Sequence, residues 1–254
     1  MSFSTIQFYP GPRVTSIVLN RLPLNIINLE MMDELSSAWQ EVEDLKAQVV
    51  VISAAGGTFS AGVDVVDHAV GRIESMLQKF HRFVMNIRNS DCITVAAIQG
   101  HTLGGGAELA MMCDLTIAAD DAQIGLPEIS LGCYPPVAAA HLPAAIGFHK
   151  ATEMVLLGEP ISAVEAERLG LVNKVIPRSS LDETVDVWVD KLMAKSGAVL
   201  GLAKRALREG SGHHLEGALR KCEELYLREL IKTGDMKEGM QAFLEKRPPS
   251  WKNS

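Results

Sequence analysis

The chain has 254 residues, of which 47% are hydrophobic and 22% are charged, and its formal net charge at pH 7 is −7. This length suits one domain, or one domain with an appendage, and is ample for a sizeable core. The negative charge argues against nucleic acid and anionic membrane surfaces as the main partners. No segment is apolar for long enough to span a bilayer. The four cysteines lack CxxC or metal-like spacing, and the N-terminus lacks a signal-peptide pattern, so we expect a cytoplasmic protein.

Strand-like and helix-like segments alternate through the first half of the chain, a pattern typical of an α/β fold with parallel strands. We predict strands at residues 5–9, 14–19, 49–52, 93–98, 115–118 and 171–175. We predict helices after the N-cap residue Asn28, over residues 73–87, from about Gly105 and after Ser162. The last sixty residues or so are almost wholly helical in pattern. The first two strands flank Pro10-Gly11, which predicts a hairpin.

Two glycine-bearing loops, residues 56–64 and 100–106, follow buried strands. Ligands of such folds bind where strands end and helices begin. The N–H groups that start the helix at Gly105, together with one near Val63, are candidates for an oxyanion hole. The alternative is a purely structural role, in which these glycines only form turns and allow close packing of the backbone. No GxxxxGK[ST] segment and no well-formed GxGxxG after the first strand occur, so phosphate-loop and dinucleotide binding are unsupported.

Two glutamates follow these features. Glu108 closes the glycine run on a helix that reads as buried nearly all round, and Glu128 follows Pro127. Such acids can simply complement a helix dipole. A buried carboxyl is costly unless it is paired or functional, and two close carboxyls can divide acid and base roles. The histidines that form no recognised metal pattern are His68, His81, His141 and His149.

Several segments, in the family's order, make the chain resemble the crotonase (enoyl-CoA hydratase/isomerase) superfamily. They are residues 24–28 (LNIIN), 59–64 (FSAGVD), 96–100 (AAIQG), 104–110 (GGGAELA), 126–129 (LPEI), 170–172 (GLV) and 238–247 (EGMQAFLEKR). The resemblance implies an α/β fold in which a spiral of ββα turns forms an acyl-CoA-binding core at residues 1–195. It also implies a C-terminal helical trimerisation region at 196–254, in a homotrimer or a homohexamer.

The resemblance also implies an acyl-CoA thioester as substrate, with no separate cofactor because coenzyme A is part of the substrate. It places the oxyanion donors at the N–H groups of Val63 and Gly105. It implies that Glu128 donates the α-proton and that Glu108 orients and activates water. The residues that it places around the substrate are Leu24, Asn25, Ile26, Ala61, Gly62, Asp64, Gly104, Gly106, Cys133, Tyr134, Pro136, Phe243 and Lys246.

One departure from the common hydratases is Pro136, which stands where a glycine would offer an N–H near the water. The segment 131–138, together with residues 225–230 and 243–251, is most similar to the cyclohexa-1,5-diene-1-carbonyl-CoA hydratases of anaerobic aromatic degradation. We therefore expect a hydro-lyase that adds water reversibly to a cyclic dienoyl-CoA. Three alternatives stay open: a general linear enoyl-CoA hydratase, an enoyl-CoA isomerase with Glu128 as the main base, and a catalytically silent protein that binds CoA esters or RNA.

Overall fold

Two β-sheets lie at the centre of the structure, a computed structural model that describes residues 3–210 and 215–250. The strands within these residues are β1 (Ile6–Tyr9), β2 (Val14–Leu19), β3 (Val49–Ala54), β4 (Ile93–Ile98), β5 (His101–Leu103), β6 (Leu115–Ala119), β7 (Gln123–Gly125), β8 (Ile161–Ser162) and β9 (Lys174–Ile176). The larger sheet has the order β1-β2-β3-β4-β6-β9, and the smaller has the order β5-β7-β8. The predicted hairpin is confirmed, because β1 pairs with β2 in antiparallel register. From β2 to β9 the larger sheet is parallel.

Each turn of the chain visits both sheets before it forms a helix. β4 runs through the larger sheet with all six residues buried, β5 then joins the smaller sheet, and a helix starts at Gly105. One turn earlier, β3 is followed by a parallel bridge from Ser60 to Thr102 on the smaller sheet. This repetition is the predicted spiral of ββα turns, and it brings the carboxyl ends of successive strands to one edge.

Helices surround the sheets. Within the described residues they are α1 (Leu29–Leu45), α2 (Ile73–Asn89), α3 (Gly105–Met111), α4 (Pro136–Ile146), α5 (Phe148–Leu157), α6 (Ala163–Leu169), α7 (Leu181–Met193), α8 (Gly197–Gly210), α9 (Leu215–Arg228) and α10 (Gly234–Leu244). Asn28 caps α1 as predicted, because its side chain accepts a hydrogen bond from the N–H of Met31. Ser162 caps α6 in the same way through the N–H of Glu165. No helix in the described part of the chain is long and apolar enough to cross a membrane.

The predicted strand at residues 171–175 is wrong in position. Gly170 ends α6 in the left-handed conformation, and the N–H groups of Leu171 and Val172 turn back to the carbonyl of Ala166. These residues therefore close the helix, as a C-cap motif does. Pairing with β6 begins only at Lys174.

The C-terminal helices pack over the same edge of the sheets. α9 contacts α4, and α10 contacts a 3₁₀ turn at Pro127–Leu131. α8 is anchored by Lys204, whose buried ammonium lies 2.8 Å from Oδ2 of Asp114. The division of the chain at residue 195 and the trimer or hexamer stay predictions.

Candidate active site

Two backbone N–H groups meet where the loops 56–64 and 100–106 touch. Val63 pairs with Ile27 in a parallel bridge, and Gly105 begins α3. A Cβ atom at position 105 would lie 2.5 Å from Cγ2 of Val63, so only glycine permits this approach. The same Cβ position is 3.5 Å from the nitrogen of Val63. Within the described residues, neither N–H donates to a backbone carbonyl, which leaves both available to a ligand oxygen.

Glu108 is held at the junction of α3 and α4. Its side chain is 4% exposed, and the helix around it is buried from Gly105 to Ala110 as predicted. Oε1 accepts a hydrogen bond of 2.9 Å from the N–H of Ala138, in the first turn of α4. Burial raises the pKa of Glu108, whereas the N–H of Ala138, the charge of His81 and the N–H of Val137 act to lower it. α4 therefore points its N-terminus at this carboxyl.

Glu128 lies in the 3₁₀ turn Pro127–Leu131 in different surroundings. Its Oε1 lies 2.6 Å from where a Cβ would stand on Gly104, a residue with φ +50°. Its Oε2 is buried and has no hydrogen-bond partner among the described residues. Burial, and then the nearby charge of Glu108, raise the pKa of Glu128 to about 8. Because each carboxyl opposes ionisation of the other, the pair can share one proton near neutral pH.

A cavity of about 380 Å³ joins these groups. Its aromatic lining includes Phe80 from α2, Tyr226 from α9 and Phe243 from α10. The rest of its wall is mostly apolar, so that a few polar groups face one another across a poorly hydrated space. The predicted site residues that line it are Ala61, Gly62, Val63, Gly104, Gly105, Glu108, Glu128, Tyr134, Pro136 and Phe243.

The remaining predicted residues lie outside this lining. Asn25 is fully buried, and its Nδ2 donates to the carbonyls of Ala55 and Thr58, so its side chain braces the loop. Asp64 caps a 3₁₀ turn through the N–H of Val66. The others not in the cavity lining are Leu24, Ile26, Gly106, Cys133 and Lys246.

Two of these residues, Gly106 and Cys133, hold the loops of the site in place without lining the cavity. A Cβ at Gly106 would lie 2.6 Å from Cβ of Ser60, so this position packs one glycine loop on the other. Cys133 is buried, and its N–H donates to the carbonyl of Glu128. It therefore closes the turn that carries Glu128.

Residues 11–254 match the family described as "Enoyl-CoA hydratase/isomerase".

The chain belongs to the enoyl-CoA hydratase/isomerase family.

The chain is 36% identical to a probable enoyl-CoA hydratase of Mycobacterium bovis, over 99% of each sequence. It is 34% identical to a cyclohexa-1,5-dienecarbonyl-CoA hydratase of Thauera aromatica, over 92% of this chain and 91% of that one. A solved enoyl-CoA hydratase of Mycobacterium avium subsp. paratuberculosis superposes with a TM-score of 0.89 at 27% identity, over 98% and 99% of the two chains. Enoyl-CoA hydratases are hydro-lyases, and the chain is an enzyme of this type.

His81 is one of the site residues that the sequence reasoning missed. It lines the cavity and is 5% exposed. The available signal was its place in α2, since it lies four residues after Leu77 and three before Val84 on the buried face. A search of the sequence for metal-binding patterns does not identify a single polar residue on the buried face of a helix. Within the described residues, no group of three or more His, Cys, Asp or Glu side chains is arranged to hold a metal ion.

Proposed function

We propose that this family member adds water to an α,β-unsaturated acyl-CoA thioester at the cavity described above. The observation that carries the proposal is the convergence on one cavity of two unpaired N–H groups, the buried carboxyl of Glu108 and the half-buried Glu128. Addition of water to a conjugated thioester needs both features. The thioester oxygen takes on negative charge, and two carbons of the substrate receive a hydroxyl group and a proton.

The N–H groups of Val63 and Gly105 would stabilise the enolate oxygen. The donors are fixed by the loop packing before substrate arrives, so little reorganisation is needed during the reaction. Removal of one such donor typically costs about 3–4 kcal/mol in the barrier.

The surroundings of the two glutamates suggest different roles. Burial raises the pKa of Glu108, but the helix N–H groups of Val137 and Ala138 act against this rise and stabilise its carboxylate, which suits it to accept a proton from the attacking water. Glu128 has a pKa raised to about 8 and an unpaired Oε2, which suits it to be the protonated acid. The water oxygen would bond to the β-carbon as its proton passes to Glu108. The proton of Glu128 would pass to the α-carbon.

Pro136 is compatible with these roles. It occupies the first turn of α4, where the N–H of a residue has no helical partner. The hydrogen bonds to Glu108 come from the next two residues. Water would therefore be held by the glutamates themselves rather than by an N–H at position 136.

The coenzyme A portion would lie at the rim of the cavity. We propose that the backbone of residues 24–26 and of 61–64 contacts it, with Phe243 and Lys246 beside the nucleotide. Phe243 is 53% exposed at the end of α10, so its ring is available to a ligand. No separate cofactor is needed, because hydration involves no change of oxidation state.

For the acyl group we propose a cyclic dienoyl ring, cyclohexa-1,5-diene-1-carbonyl-CoA. The cavity supports this choice because the rings of Tyr134 and Tyr226 stand 5.1 Å apart in its wall, where they suit contact with a flat ring. The relative of Thauera aromatica acts on this class of compound by its name, but its 34% identity does not exceed the 36% of the general hydratase. Linear enoyl thioesters therefore belong in the same test.

The test is turnover by purified protein in heavy-oxygen water, with cyclohexa-1,5-diene-1-carbonyl-CoA and crotonyl-CoA side by side and products followed by mass. We expect the label in the product of the cyclic diene, formed faster than that of crotonyl-CoA. Faster hydration of crotonyl-CoA would contradict the cyclic substrate and leave the hydratase. An isomer without label would contradict hydration itself, and absence of any product would favour a silent binding protein.

A further inference from the structure

His81 is buried beside the reacting groups without a regular hydrogen bond. Neither ring nitrogen has a hydrogen-bond partner among the described residues, and the side chain lines the same cavity as Glu108. A neutral imidazole left in this state would lose the hydration of two polar atoms. Its position in the wall of the cavity therefore calls for an explanation other than packing.

Carboxyl groups face this imidazole from two different helices. Nδ1 of His81 lies 3.5 Å from Oε2 of Glu223 on α9. This distance is longer than a regular hydrogen bond, yet the interaction with His81 lowers the pKa of Glu223. Glu108 on α3 is close enough for the charge of His81 to lower its pKa as well. An imidazolium at this point would have two anionic neighbours.

The other basic groups of the cavity wall are occupied. Arg247 forms ion pairs of 2.6 Å with Glu238 and Glu245. His68 lies 3.0 Å through Nδ1 from the carbonyl of Asp64, and burial lowers its pKa, which favours the neutral ring. Among the described residues that line the cavity, His81 is therefore the basic side chain whose ring nitrogens have no hydrogen-bond partner.

We propose that His81 is a positioning residue: its imidazole, paired with Glu223 of the C-terminal helix α9, forms part of the same cavity wall as Glu108 and orients this carboxylate for water activation. This inference rests on the proposed role of Glu108. No proton of His81 enters the product. The ion pair between His81 and Glu223 connects α9 of the C-terminal region to the proton transfer at Glu108. Full activity therefore requires that α9 packs correctly against the core.

The decisive variants are His81→Gln, His81→Phe and Glu223→Gln, with His149→Gln as a control because His149 is an exposed histidine on α5. We expect His81→Phe to lower kcat about tenfold to a hundredfold with KM changed less than about twofold. The acid limb of its kcat–pH profile should move to higher pH by about one unit, because Glu108 loses a cationic neighbour. His81→Gln should have a higher kcat than His81→Phe, with its acid limb still shifted. Glu223→Gln should shift the acid limb in the same direction by a smaller amount.

A second readout is independent of turnover. In protein with ¹³C-labelled glutamate carboxyls, the pKa of Glu108 should be higher in His81→Phe than in the wild type. A Glu108 pKa that is unchanged in folded His81→Phe, or in His81→Gln and Glu223→Gln where the Phe variant does not fold, would overturn the role of His81. If the wild type fails to hydrate any enoyl thioester while the shift in pKa is present, the proposed function fails and the electrostatic role of His81 stands.

Discussion

The two glutamates of the cavity share a residue type but not an environment. Glu108 sits under the N-terminus of α4, with two N–H groups and an imidazole acting on its charge. Glu128 sits on a 3₁₀ turn against Gly104, with one oxygen buried and unpaired. Burial raises the pKa of both, but two N–H groups of α4 oppose this rise at Glu108, whereas at Glu128 only its own backbone N–H does so. The comparison shows how one fold can prepare a base and an acid from identical side chains.

The largest effect should come from neutralising either carboxyl. We expect Glu108→Gln and Glu128→Gln each to lower kcat about a hundredfold to ten-thousandfold, because each removes one of the two proton transfers. Steady-state kinetics on the preferred enoyl-CoA measures this, with Glu43→Gln at an exposed position of α1 as the control. Wild-type turnover in both site variants would show that the pair does not perform the chemistry.

A smaller but specific effect should follow from Gly104→Ala. The new Cβ would lie 2.6 Å from Oε1 of Glu128 and would displace that carboxyl. A displacement on the order of 1 Å can lower kcat about a hundredfold.

Gly147→Ala is the matched control for that variant. Gly147 also has positive φ, +82°, but no atom lies within 4 Å of its added Cβ. It should lose about 1–3 kcal/mol of stability from backbone strain and keep wild-type kcat. Equal kinetic losses in the two variants would mean that backbone strain, and not contact with Glu128, is responsible.

The sequence predicts those site residues that are neighbours in the chain, and not those that meet only through distant packing. The glycine run, Glu108 and the buried character of α3 are neighbours in the chain, and their pattern predicted them together. The N–H groups that act on Glu108 come from Val137 and Ala138, about thirty residues later, because α4 docks end-on against α3. A docking angle between helices leaves no spacing pattern in one sequence.

The C-terminal part of the site was harder to predict for a related reason. Tyr226 and Glu223 lie on α9, and a helical pattern there indicates a buried face without saying what it covers. His81 was passed over because a lone histidine on an apolar stripe has no partner in the sequence. The mistaken strand at 171–175 arose because an apolar run after Gly170 resembles a strand, whereas the glycine ends a helix.

The pH dependence of turnover should separate the two carboxyls. Glu128 acts in its protonated form, so kcat should fall as pH rises through about 8, the pKa of this group. Glu108 acts in its charged form, so kcat should fall again on the acid side. A kcat–pH profile of the wild type measures both limbs. A profile that stays flat from neutral pH to well above 8 would contradict the assignment of Glu128 as the acid.

The last predicted effect concerns stability. A carboxyl with a folded-state pKa near 8 and an unfolded-state value near 4.5 binds more protons when folded, so the wild type loses stability as pH rises between these values. The variant Glu128→Gln has no titrating carboxyl at this position, so it does not lose stability in this way as pH rises. Chemical denaturation should show the variant more stable than the wild type by a few kcal/mol at pH 8, with the difference vanishing near pH 4. A difference that is independent of pH would mean that the gain comes from packing.

The most direct measurement is a titration of the glutamate carboxyls by ¹³C NMR in the wild type and in Glu108→Gln. The predicted result is a Glu128 resonance that titrates near pH 8 in the wild type and at lower pH in the variant, because the anionic neighbour is gone. Titration of Glu128 in the ordinary range near pH 4 to 5 in both proteins would contradict the division of the pair into a base and a buried acid.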